Sequence, residues 1–203
     1  MIGEFKDIFK GKTVWIVGKG PSLQYLTKKD ISRGPIITIN EAIIKIEEMG
    51  LSNPVYSMWK DGGNRRQYIN SRPHILKPDC DYTPDCGDVC GGMYRPKKGA
   101  TLLVHKHESL YCMPDYSPRY VFEWEEFGIC HNNISFIIAM EIGMLMGCKK
   151  FCFISFDIHV NRSIETYVPG VGVVGVDGSY WSHRRRIKPY LRKLNYRWIT
   201  PKK

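Results

Sequence analysis

Five consecutive residues, Gly18, Lys19, Gly20, Pro21 and Ser22, are of types that can hold an anion. They follow the apolar run Val14 to Val17, which reads as a strand buried on both faces. Glycines after such a strand allow backbone angles that a side chain forbids and let a ligand approach the main chain. Pro21 suits the first turn of a helix, where its missing N–H costs nothing. A helix opening there presents unpaired N–H groups and the positive end of a dipole, which makes the turn a candidate phosphate site. Ser22 adds a hydroxyl. The spacing is not the dinucleotide fingerprint, because Leu23 stands where G-x-G-x-x-G needs its last glycine, and it is not a P-loop. The plainer alternative is a tight structural turn.

Two more polar residues fall just past apolar runs, where open α/β sheets place ligand contacts. Asn40 follows Ile36 to Ile39, and its alternative role is to cap a helix from Glu41 to Met49. Asp61 follows Val55 to Trp59; it suits a hydroxyl or a metal-bound phosphate, but Asp-Gly is also an ordinary turn. Near the C-terminus, Arg184, Arg185 and Arg186 could grip a diphosphate or a nucleic-acid backbone through directed hydrogen bonds.

The run Gly18-Lys19-Gly20-Pro21-Ser22-Leu23 after a buried strand resembles the G-x-G-P-S-L opening of the bacterial sialyltransferase family. That opening is shared by a wider clan that includes archaeal pterin pyrophosphokinase-like proteins. The resemblance spans about Lys12 to Ile46 and His131 to Leu194. It implies that Asn40, Asn133 and Ser135 approach a nucleotide and that Asp157 shapes the site. Lys19 departs from the family's usual Asn, and Phe156 from the glycine of its G-x-D segment. His159 stands where the family has a site Tyr. His183, with Tyr180 nearby, matches the position of the family's general base, just before the last helix. A His can take the proton of an attacking hydroxyl near neutral pH, and neighbouring arginines favour its neutral form. His131 reads as a capping or buried structural residue.

The elements that must position these residues read as a single α/β domain over 1–203, with one modified-Rossmann parallel sheet flanked by helices. Met1 to Gly11 reads as an amphipathic lead-in with Phe5, Ile8 and Phe9 on one side. A short helix is expected from Leu23 to Ile31, and Leu102 to Val104 reads as a strand. An apolar helix is expected from Phe136 to Met146, followed by a strand from Phe151 to Ser155. An irregular insertion covers about 72–118 and contains Cys80, Cys86 and Cys90. Their C-x5-C-x3-C spacing lacks the paired C-x2-C of well-attested zinc modules, so a lid or insertion is the preferred reading. Val160 to Gly178 reads as a mobile loop able to act as a lid. A basic amphipathic helix is expected over about 184–196.

The chain has 203 residues, 43% of them apolar, and a net charge of +10. It is long enough for a full core, and its charge excess suits a polyanionic or phosphorylated partner. The basic C-terminal region also carries Tyr180, Trp181, Tyr190, Tyr196 and Trp198, the make-up of a nucleic-acid surface, although aromatics at helical spacing more often pack into cores. No signal peptide and no membrane-spanning run is visible, so the seven cysteines read as mostly reduced thiols in a cytoplasmic protein. The expected function is glycosyl transfer from a nucleotide-sugar donor to an acceptor hydroxyl, with no cofactor or metal required. Basicity favours a modified base in DNA as acceptor, as in virus-encoded DNA modification. The alternatives are a Mg²⁺-dependent phosphotransferase of the same clan using Asp61 and Asp157, and a non-catalytic nucleotide- or nucleic-acid-binding module.

Overall fold

The computed structural model describes residues 2–59, 96–97, 99–105, 118–122, 124–129, 134–157, 165–168, 172–175 and 180–203. Its centre is a seven-stranded sheet in the order β5-β4-β3-β2-β1-β6-β9. The strands are β1 (Thr13–Val17), β2 (Ile36–Ile39), β3 (Val55–Trp59), β4 (Thr101–His105), β5 (Arg119–Phe122), β6 (Lys150–Ile154) and β9 (Asn195–Ile199). All six pairings are parallel. The expected α/β fold with one parallel sheet is therefore present. Val14 to Val17 and Ile36 to Ile39 are buried throughout, as continuous apolar runs in a doubly covered sheet must be.

Alternation along the strands divides the core in two. Val14, Ile16, Ile37, Met58, Phe151 and Phe153 face the helix α2 (Ser135–Leu145) and Ile187 of α3 (Tyr180–Leu191). Trp15, Val17, Ile36, Cys152 and Ile154 face Leu23, Leu26 and the helix α1 (Ala42–Met49). α2 is apolar almost all round because it is covered on nearly every side, from Phe136 to Met140 and at Ile142 and Gly143. The lead-in locks to its end: the N–H groups of Asp7 and Phe9 donate to the carbonyls of Leu145 and Met146.

Four expected elements differ. The helix expected over Leu23 to Ile31 is two 3-10 turns, Pro21–Tyr25 and Lys28–Asp30, the second closed by reciprocal capping of Thr27 and Asp30. Of the lead-in residues Phe5 is buried and Phe9 packs on the core, but Ile8 is 44% exposed. The basic helix expected over 184–196 runs instead from Tyr180 to Leu191 and contains Pro189. Proline removes a helical hydrogen bond and clashes with the preceding turn, so the helix stops soon after it. The chain then turns back into β9, whose Asn-Tyr-Arg-Trp-Ile sequence favours a strand. Finally, the region read as a mobile loop over 160–178 holds two antiparallel strands, β7 (Glu165–Val168) and β8 (Gly172–Gly175).

Candidate site at the carboxyl ends of β1, β2 and β6

From β1 the chain steps outward through β2, β3, β4 and β5, then returns to place β6 on the other side of β1. The strand order therefore reverses between β1 and β6. In open parallel sheets the crevice beyond the carboxyl ends at such a reversal is where ligands bind. The glycine turn leaves β1 at this point, and Ser155, Phe156 and Asp157 leave β6 beside it.

The turn is built for close approach between these two strand ends. The N–H of Gly18 donates to the carbonyl of Ile154 at 2.9 Å, and that of Gly20 to the carbonyl of Ser155 at 2.7 Å. A Cβ at Gly18 would lie 2.8 Å from the Phe156 ring. A Cβ at Gly20 would lie 2.5 Å from Asp157 Oδ2 and 2.6 Å from the Ser155 carbonyl oxygen. Gly20 itself has φ −61 and ψ 160, an ordinary extended conformation. Glycine is needed here for space, and the expectation of special backbone angles at this position is corrected.

Pro21 does open a helical turn, but the N–H groups behind it are not free for phosphate. The Ser22 N–H donates to Asp157 Oδ2 at 2.7 Å, and the Ser22 hydroxyl donates to Asp157 Oδ1 at 2.7 Å. Asp157 is 5% exposed, so the chain's own carboxylate occupies the place expected for an anion. Lys19, expected to neutralise phosphate, reaches across to β2's end, its Nζ 2.5 Å from Glu41 Oε2. The carbonyl of Lys19 accepts the N–H of Tyr167 at 2.6 Å, which ties β7 to the turn.

Asn40 and Ser155 complete the site. Both adopt left-handed backbone angles, with φ of 50 and 56. Non-glycine residues in this region cost of order 1 kcal/mol or more, and such strain gathers at functional sites. Asn40 Oδ1 and Ser155 Oγ are also buried with no hydrogen-bond partner among the described residues. The cap of α1 is Glu41 with no side-chain cap bond, so Asn40 does not play the capping role that was its alternative. Glu41 received no functional role from the sequence. The signal that could have found it is its place directly after a buried strand and Asn40.

Phe156 joins the third element. Its ring meets Phe136, the second residue of α2, with centroids 4.5 Å apart. Ser135, at the start of α2, is thereby brought to the same side as the end of β6.

The other expected residues stand on other elements or lie outside the described residues. His183, Tyr180 and Arg184 lie in the first turns of α3, so His183 is inside the last helix and not before it. Arg185 and Arg186 are exposed on the same helix. Arg197, just past the expected end of the basic helix, belongs to β9, with its guanidinium 5.4 Å from the centre of the Trp15 ring. Trp198 packs between Phe136 and Phe153, with ring centroids at 5.7 and 5.0 Å, so it belongs to the core and not to a nucleic-acid surface. Tyr190 also packs on that core, while Tyr196 is 39% exposed. Asp61, Asn133, His131, His159 and the cysteines Cys80, Cys86 and Cys90 lie outside the described residues. Among the described residues no three His, Cys, Asp or Glu side chains cluster as metal ligands, and no helix is long and apolar enough to cross a membrane. Cys148 and Cys152 are buried free thiols.

Burial shifts ionisable groups elsewhere among the described residues. Glu141 on α2 is pushed up to about 7 by burial, and its Oε2 has no hydrogen-bond partner among the described residues. Burial likewise raises the Cys148 thiol to about 11.

Fold and site thus define a parallel α/β domain of the Rossmann-like kind with a polar, strained crevice at its strand reversal. The sequence matches no protein-family description and no characterised protein.

Proposed function

We propose that the crevice between the carboxyl ends of β1 and β6 binds a nucleotide, and that the protein transfers a sugar from a nucleotide-sugar to an acceptor hydroxyl. The observation that supports this reading best is the convergence of strained, unpaired polar residues at the reversal of strand order: Asn40 after β2 and Ser155 after β6. The resemblance of the Gly18 to Leu23 turn to the sialyltransferase clan supplies the chemistry. His183 is the proposed base, and the phosphate contact falls to the Lys19 ammonium because Asp157 holds Ser22. A metal-dependent phosphotransferase is the weaker reading, since both oxygens of Asp157 already accept hydrogen bonds from Ser22. The exposed cations Arg185, Lys188, Arg192 and Lys193 support a polyanionic acceptor such as DNA bearing a hydroxylated base.

Thermal unfolding in the presence of CMP-, UDP- and GDP-linked sugars tests donor binding, and stabilisation by one of them is expected. Transfer should survive EDTA. His183→Ala should lower turnover by about 10²–10⁴-fold with donor affinity retained. A failure of all three donors to stabilise the protein would overturn the reading.

A further inference from the structure

We propose that Glu41 is the ribose-binding carboxylate of this crevice, so that the ligand is a ribonucleotide with a free 2′-hydroxyl. The inference rests on the nucleotide-binding reading above and goes further by naming the residue and the sugar it selects. Glu41 follows the end of β2 by two positions and stands 22 positions after Lys19 of the glycine turn. In dinucleotide-binding parallel sheets an acid about 20 residues on from the glycine turn accepts the ribose 2′-hydroxyl, and Glu41 stands at the corresponding place although this turn lacks the third glycine of that fingerprint. Glu41 has the required direction as well as the position. Its Oε2 lies 2.5 Å from Lys19 Nζ, so the carboxylate points back over the turn.

The surroundings favour a ligand role. Glu41 is 7% exposed, and its partner Lys19 is nearly as buried. A buried ion pair contributes little net stability compared with apolar residues of the same size. Stability alone therefore gives no reason for a lysine in this turn or an acid opposite it. A carboxylate has room for about four hydrogen bonds, so it can hold Lys19 and a ribose hydroxyl together. The ammonium is then fixed beside the ribose, where the 5′-phosphate of the same nucleotide must pass. Asn40, strained and with its amide oxygen unpaired, borders the same place.

Isothermal titration of CDP, UDP and GDP against their 2′-deoxy counterparts tests the assignment. At least one ribonucleotide should bind roughly tenfold or more tighter than its deoxy form, the value of a hydrogen bond to a charged group. Glu41→Ala should bring the ratio close to one, and Glu41→Gln, which keeps the shape, should reduce it to a few-fold. Lys19→Met should weaken both forms, because it removes the phosphate contact and leaves Glu41 without its cation. A merely structural Glu41 would alter both affinities together, so the ratio isolates the ribose contact. Ribo and deoxy forms binding alike, or a ratio preserved in both Glu41 variants, overturns the assignment while nucleotide binding stands. Binding of none of the six nucleotides overturns the nucleotide reading itself.

Discussion

The two ends of strands β1, β6 and β9 are unlike each other. At the amino end a cavity of about 370 Å³ opens on the sheet face, lined by Thr13, Trp15, Ser32, Lys150, Cys152 and Arg197. Arg197 spans it, its Nε donating to Cys152 Sγ at 3.1 Å. The left-handed position bordering this end is taken by a glycine, Gly34, with φ 139, where a Cβ would collide with the Thr13 carbonyl oxygen. At the carboxyl end the left-handed positions are taken by Asn40 and Ser155. A glycine there would relieve the strain, yet polar side chains are kept, with buried atoms that find no partner among the described residues. Trp15 Nε1 at the amino end is likewise without a partner among the described residues, so the strain at Asn40 and Ser155 is what distinguishes the carboxyl end. That end holds unfavourable free energy that a ligand's hydrogen bonds can offset, which is why we place the site there and not in the amino-end cavity.

The largest expected effect separates the two ends directly. Asp157→Ala leaves the buried Ser22 N–H and hydroxyl without their acceptor and should cost about 2–5 kcal/mol in urea unfolding. Arg197→Ala at the amino end removes an exposed side chain with one thiol bond and a ring contact, and should cost under about 1 kcal/mol. Equal losses would erase the distinction. Next, Gly20→Ala drives a methyl into Asp157 and the Ser155 carbonyl and should destabilise by about 1–3 kcal/mol. Gly20 variants thus test packing, and donor affinity is better probed at Lys19.

Glu141 extends the comparison to a half-buried carboxylate whose Oε2 finds no hydrogen-bond partner among the described residues. Its pKa is raised by burial to about 7 from 4.5. Below pH 4.5 it is neutral in both states. As pH rises toward 7 the unfolded chain releases the proton first, so stability falls across that window and stays lower above it. Glu141→Gln should stabilise the protein by about 1–2 kcal/mol at pH 8, a figure reduced for partial solvation, and by almost nothing at pH 4. Thermal melts at the two pH values give the comparison. The smallest effect belongs to Ser155→Gly, which removes strain and an unpaired hydroxyl at once and should stabilise by about 1 kcal/mol while weakening nucleotide binding. A loss of stability there would mean that Ser155 is not strained.

Local pattern explains what was legible. The runs Val14 to Val17, Ile36 to Ile39 and Phe151 to Ile154 are buried strands because they are short, rich in β-branched and aromatic residues and bounded by polar or turn residues, as strands covered on both faces are. The helix ending Met49-Gly50 closes with Gly50 at φ 55, a left-handed terminus that glycine accepts without strain. β7, β8 and β9 were not legible, because short strands take their stability from a neighbour. Asn195–Ile199 becomes a strand only when β6 offers its free edge.

The site divides in the same way. Sequence by itself determined the glycine turn after β1, the polar residues past the strand ends and the parallel α/β class, all of which follow from composition and short-range order. Tertiary structure alone decided which of those polar groups face a ligand and which face one another. Ser22 and Asp157 lie 135 positions apart, and Lys19 and Glu41 lie 22 apart. Each pair meets because the strands carrying them lie side by side in the sheet. A buried charge takes the nearest partner in space, and distance along the chain does not reveal which partner that will be.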